Sequence, residues 1–322
     1  MTRSALALAA LASAAVPGLD PTAVEAAAPG ASAFDLAFVT DVESRRWVVR
    51  SPRNRAAGAQ MEVTTTLLEL LSRRLPYAVP SPAGFASLKE GGRAAVYPFL
   101  PGRPVVFGHL PPGPGPAAEL GRAIAALHNV DLRLAEEAGL PAYDADTYRT
   151  RRLAELDRAA ATGHVPTSLL TRWEHALEDV RLWRFAPTVT HGDLSGEQVL
   201  IEFSDEEDAA SGRVVAITGW DDAKVADPAD DFALLAGNAP ADTFDTVLEA
   251  YAQARDERPD AHLEQRALLA HELRLVTGLL TALSTGDVRY VDAYVERLRR
   301  LATATWGDSA GGDDPAGDAP SP

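Results

Sequence analysis

The residues best suited to chemistry are His191-Gly192-Asp193-Leu194, set between the strand-like Thr188–Thr190 and the apolar Val199-Leu200-Ile201, with Gln198 five positions past the aspartate. An aspartate on a loop between two short apolar strands can accept the proton of an attacking hydroxyl. A carboxamide on the far side of the same loop can meet a magnesium ion or its water. That pattern suits phosphoryl transfer, which depends on a positioned nucleophile and neutralised charge more than on a protein nucleophile. Alone, the triplet is equally a loop aspartate capping backbone amides; the strands on either side favour chemistry. A second acidic constellation runs from Ile217-Thr218-Gly219-Trp220-Asp221-Asp222-Ala223-Lys224-Val225 to Asp227-Pro228-Ala229-Asp230-Asp231-Phe232. Neither a Walker sequence nor a dinucleotide glycine fingerprint occurs at a strand–helix junction.

The elements that hold these residues must come from 322 residues, enough for one large domain or two ordinary ones. With 46% hydrophobic and 24% charged residues the chain is globular rather than disordered throughout. Zero cysteines exclude a disulfide framework, thiolate zinc sites, iron–sulfur clusters and cysteine nucleophiles. A net charge of −16 argues against nucleic acid as partner and favours a cationic small molecule. No stretch reads as a membrane span. Ala5–Val16 reads as a short alanine–leucine helix halted by Pro17 or as the apolar core of a signal peptide.

Residues 1–33 form that helix and an Ala/Pro/Gly connector over 20–33. Phe34–Val39 and Trp47–Arg50 have the pattern of a hairpin, Gly58–Leu75 that of a helix, and Phe85–Leu88 and Ala94–Leu100 those of two further strands. Leu110–Pro116, with four prolines, is a linker or surface loop. Helices follow over Ala117–Asn129, Thr147–Ala161 and Ser168–Leu182, then a β unit over Val189–Val225 with an acidic hairpin tip at Ser204–Ser211. The late helices are Asp242–Arg255, Ala261–Thr285 and Tyr290–Thr305, and the aperiodic residues 307–322 read as a disordered acidic tail.

In order and motif the chain resembles the aminoglycoside phosphotransferase family over roughly residues 34–300, most closely its macrolide phosphotransferase branch, whose HGDL loop is His191–Leu194 here. The resemblance implies an α+β, bilobal protein-kinase-like fold, with a small β-rich N-lobe over 34–100 and a larger, mainly α-helical C-lobe over 101–306. It also implies ATP or GTP with Mg2+ as cofactors and transfer of phosphate to a hydroxyl of an antibiotic, in the cytoplasm. Asp193 would then be the catalytic base. Arg50, on the strand Trp47–Arg50, would clamp phosphate in an ion pair with Glu62 of the first helix. Tyr97 and Phe99, in Val96-Tyr97-Pro98-Phe99-Leu100-Pro101-Gly102, would lie at the hinge whose backbone holds the purine edge. His128 ends the next helix in a structural role, and Asp227 and Asp231 look like the acids that cap a helix and support the loop.

The family's metal-holding aspartate precedes the tryptophan, and here that residue is Gly219, which has no side-chain oxygen for a hard cation. Gln198 replaces the expected asparagine. On an extended strand Asp221 would share Gly219's face, which makes Asp221, with Gln198, the expected metal ligand. Two readings of function follow from this exchange: a small-molecule kinase acting on a cationic macrolide or aminoglycoside, or a catalytically impaired kinase-like protein that uses the same cleft for binding. A third, an exported carbohydrate-binding or hydrolytic protein, rests on the N-terminal run alone.

Overall fold

The computed structural model describes residues 3–27 and 33–310, so residues 28–32 of the expected connector and 311–322 of the expected tail lie outside the described residues. The chain groups into two compact units, Met1–Tyr143 with Pro187–Pro259, and Asp144–Ala186 with Asp260–Pro322. The architecture is the expected mixed one, a β-sheet N-terminal region and a helical C-terminal part.

The first unit opens with α1 (Ala5–Ala15), capped by Ser4, and β1 (Pro21–Ala26). Then come β2 (Phe34–Asp41), β3 (Arg46–Pro52), α2 (Arg55–Leu71), β4 (Gly84–Ser87) and β5 (Arg93–Pro98). The five strands form an antiparallel sheet in the order β1-β2-β3-β5-β4. The period-2 alternation of side chains divides its two faces. Trp47, Val49 and Val96 meet Leu8, Ala12 and Ala15 of α1 on one face. Phe34, Ala95 and Tyr97 meet Ala57 and Met61 of α2 on the other. By the same alternation Arg50 of β3 falls on the α2 face, its guanidinium stacked 3.7 Å from the Phe34 ring centroid.

The segment expected to be a connector is therefore part strand. β1 begins with proline, where no ladder N–H is needed, and as an edge strand it carries little apolar alternation to betray it. The N-terminal helix is half of a core layer, and without it the face bearing Trp47 and Val96 would be bare. Leu8→Ala is expected to cost about 2–3 kcal/mol, the low end for a buried leucine because a terminal helix can undock. A thermal melt indistinguishable from wild type would contradict this packing.

The rest of the unit positions the chemistry. It comprises β6 (Arg103–Pro104), α3 (Pro116–His128), α4 (Leu132–Ala138), β7 (Thr188–Thr190), β8 (Val199–Phe203), β9 (Gly212–Ile217), β10 (Lys224–Ala226), α7 (Ala233–Asn238) and α8 (Ala241–Ala254). β8 and β9 are a hairpin whose exposed tip is the acidic 204–211 insertion, and β6 pairs with β8. β7 pairs instead with β10. That crossed pairing brings the 191–198 loop beside the 218–223 turn.

The second unit comprises α5 (Ala145–Ala160), α6 (Thr167–Glu178), α9 (Leu263–Thr285) and α10 (Val288–Ala310). The helix α10 runs on to Ala310, past residue 307 where the tail was expected to begin. By length and composition α9 is apolar enough to cross a membrane, contrary to the sequence reading. Within the fold it is a packed helix: its buried Arg266 makes a two-pronged contact with Asp260 (2.7 and 2.9 Å), and its Glu272 accepts from the Trp173 indole at 2.7 Å.

Candidate active site

Asp193 sits on the loop after β7, half-buried, and what fixes that loop is Asp231. The Asp231 carboxylate, fully buried, accepts from the backbone N–H of His191 at 2.9 Å and of Gly192 at 2.7 Å. His128 Nε2, at the end of α3, lies 3.0 Å from the same carboxylate, and Tyr251 of α8 meets His128 Nδ1 at 2.9 Å. With Asp231 accepting, Nε2 carries the proton and Nδ1 accepts from the tyrosine hydroxyl. The chain Tyr251–His128–Asp231 therefore anchors the loop to the helical core. Asp227 accepts from the Ala229 N–H at 2.9 Å, the capping role its position implied. His191 adds a second tether through Nε2, 2.8 Å from the Thr218 carbonyl, and its ring lies 4.8 Å from that of the buried Trp220.

This buried pair gives the fold a defined response to acid. Burial depresses the His128 imidazolium below the ordinary 6.5, against the pull of Asp231. Burial alone would raise the Asp231 carboxyl, but the hydrogen bond and charge of His128, with the Gly192 N–H, hold it below 3.8. A histidine depressed in the fold leaves only the unfolded chain to take a proton as pH falls through about 6.5, so stability declines there. The aspartate's contribution is present above its unfolded value and is lost as pH falls through its lower folded value. The urea midpoint is expected to fall between pH 7.5 and about 5.5, with a flatter profile for His128→Gln; a midpoint rising over that window would contradict it.

Opposite the Asp193 loop, the chain leaves β9 and turns rather than continuing extended. Gly219 has φ +83°, in the left-handed region, and a short 3-10 turn follows over Trp220–Asp222. The expectation that strand alternation places Asp221 on Gly219's face fails because the strand has ended. Asp221 is nonetheless brought to the phosphate-clamp candidate. Arg50 Nη2 donates to Asp221 Oδ2 at 2.5 Å, while Asp221 Oδ1 is buried without a hydrogen-bond partner. Gln60 of α2, which no sequence pattern singled out, donates from Nε2 to the Asp221 carbonyl at 2.5 Å.

The other expected pairings differ. Glu62 is held by Arg93 at the start of β5, with Nε 2.7 Å from Oε1 and a second contact to Oε2, so the Arg50–Glu62 pair is not formed. The reason is position: Glu62 lies on the exposed side of α2 beside Arg93, whereas Arg50 is drawn to Asp221. Tyr97 is buried between sheet and α2, and burial pushes its phenol up. The Phe99 N–H, offered to a purine by the resemblance, already donates to the Arg46 carbonyl at 2.9 Å, and Arg46 covers its ring at 3.8 Å from the centroid.

The magnesium grip implied by the resemblance does not fit these residues. Gln198 Oε1 accepts from the Ser195 N–H at 2.8 Å in a reciprocal cap of the short turn Gly196–Gln198, so its oxygen faces the loop. Gly219 contributes none, and among the described residues no group of three His, Cys, Asp or Glu could hold a metal ion. Asp221 Oδ1 is a hard oxygen buried without a hydrogen-bond partner, but one such oxygen is not a grip. Asp222, beside it, is raised by desolvation and by the charges of Asp193 and Asp221, against the lowering pull of Lys224 and His191. Lys224 is itself bound to Asp230 at 3.1 Å.

Comparison with known proteins gives the family and the fold of the chain. A family model described as the phosphotransferase enzyme family matches residues 24–269. Among solved structures, the macrolide 2'-phosphotransferase MphH of Brachybacterium faecium is 28% identical, with 87% of this chain and 94% of that chain covered and a TM-score of 0.72. A macrolide 2'-phosphotransferase type I is 26% identical, covering 92% and 98%, with a TM-score of 0.75. A curated relative, the uncharacterized protein YcbJ of Bacillus subtilis (strain 168), is 26% identical over 69% of this chain and 72% of its own length.

Proposed function

Because the chain belongs to the phosphotransferase enzyme family, we propose that it transfers the terminal phosphoryl group of ATP or GTP to a hydroxyl of a small cationic molecule, a macrolide or an aminoglycoside. The observation that carries this reading is the juxtaposition of the anchored Asp193 loop with the Arg50–Asp221 turn, both in one compact unit. The likeness to two macrolide 2'-phosphotransferases along nearly their whole length favours a macrolide among the acceptors.

In this reading the acceptor hydroxyl attacks the terminal phosphorus and Asp193 takes its proton. The new O–P bond forms as the bond to the bridging oxygen breaks, and the nucleoside diphosphate leaves. Arg50 exchanges Asp221 for phosphate oxygens, which its planar fork can grip in two places. The purine lies toward the end of β5, against the segment carrying Tyr97 and Phe99. The net charge of −16 draws a cationic acceptor toward the protein. Both nucleotides depend on the cytosol for supply, which places the activity there.

The test is a screen of macrolides and aminoglycosides with ATP and with GTP, read by mass spectrometry of the acceptor. Phosphorylated product with at least one pairing is expected. Absence of product across the panel, with nucleotide binding intact, would favour the impaired kinase-like reading that Gly219 supports.

A further inference from the structure

Gln198 lies across Gly219. A side-chain carbon built on Gly219 would stand 2.3 Å from Gln198 Nε2, 2.7 Å from its Cδ and 2.8 Å from its Cγ. Real Cβ atoms do not approach so closely, and the positive φ of Gly219 adds backbone strain for any other residue. The glutamine is one methylene longer than the asparagine of the related motif, and that methylene carries its amide over the glycine. Its oxygen is committed to the Ser195 N–H, so the amide nitrogen is the end turned to position 219. The two departures from the motif, Gln198 and Gly219, thus occupy one volume.

We infer that Gln198 and Gly219 are an interlocked pair in which Gln198 is a positioning residue for the Asp193 loop and not a metal ligand. Two contacts carry the inference. Gln198 closes the turn Gly196–Gln198 through its reciprocal cap with Ser195. Its carbonyl accepts from the Thr218 N–H at 2.9 Å, tying the loop to the residue between the end of β9 and Gly219. An aspartate returned to position 219 alone would meet the Gln198 amide before it met a cation.

Two experiments separate this from the nucleotide reading on which its second half rests. The first needs no nucleotide: thermal melts of wild type, Gly219→Ala, Gln198→Ala and the double variant. Gly219→Ala is expected to lower the melting temperature, and by at most about half as much in the Gln198→Ala background, because the steric conflict is gone and only the φ strain remains. Equal falls in both backgrounds would overturn the interlock. The second titrates Mn2+ into protein saturated with a non-hydrolysable triphosphate, followed by electron paramagnetic resonance. Gln198→Ala is expected to leave the Mn2+ affinity within about twofold of wild type. A tenfold loss in Gln198→Ala would overturn the positioning role. In turnover, Gln198→Ala is expected to lower kcat at unchanged acceptor KM, with partial recovery in Gln198→Asn. A rise in acceptor KM at unchanged kcat would count against positioning.

Discussion

Asp193→Asn is expected to lower kcat by about 10²–10⁴ while nucleotide affinity and acceptor KM stay near wild type. The substitution keeps the shape of the side chain and removes its negative charge, and with it the capacity to take a proton. The loop that carries it is held from elsewhere: Asp231 grips the N–H groups of His191 and Gly192, and His191 is tethered to the Thr218 carbonyl. The geometry around position 193 therefore survives the change, and the loss isolates proton transfer. Steady-state kinetics, paired with nucleotide binding by calorimetry, provide the check. Turnover equal to wild type would remove Asp193 from the base role, and Asp222, the neighbouring carboxyl raised above its ordinary value, would become the residue to vary next.

The second large effect belongs to Asp231. Asp231→Ala is expected to destabilise the fold by about 3–5 kcal/mol, since it removes a buried charge from between its partners and abandons them in a dry interior. The His191 and Gly192 N–H groups lose their acceptor, and the His128 Nε2 proton loses its own. Each orphaned buried donor costs about 1–3 kcal/mol by itself. Asp231→Asn retains one acceptor oxygen and is expected to be milder. Urea denaturation measures both, and a midpoint unchanged in Asp231→Ala would show that the loop is anchored by something other than this carboxylate.

The sequence showed most of the frame. The alternating runs around Phe34–Arg50 and the helical spacing of Met61, Leu67, Leu68 and Leu71 mark the elements that became β2, β3 and α2, because one buried face imposes its period on each. β1 escaped, since an exposed edge strand needs no such period. The roles of Asp227, Asp231 and His128 were legible because their neighbours in the chain, a proline-led turn and a helix end, restrict what they can do. Pairings were not. Whether Glu62 meets Arg50 or Arg93 depends on where β5 begins relative to α2. Likewise, Gln60 reaches the Asp221 carbonyl only because α2 passes above a turn 161 positions away. The Gly219 substitution was visible as a missing ligand, but that Gln198 fills its space could not be read from residues 198 and 219 separately. Strand alternation misled at Asp221 because β9 ends at Ile217 and the left-handed Gly219 leads into a 3-10 turn.

The central claim is spatial: Asp193 and Arg50 attend the same phosphoryl group. A crystal structure of the protein with a non-hydrolysable triphosphate and a macrolide acceptor tests it most directly. The expected complex has Arg50 released from Asp221 and bound to phosphate oxygens, with the acceptor hydroxyl about 2.6–3.2 Å from the Asp193 carboxylate. A triphosphate bound with Arg50 still paired to Asp221, or with Asp193 out of reach of any acceptor hydroxyl, would contradict the assignment.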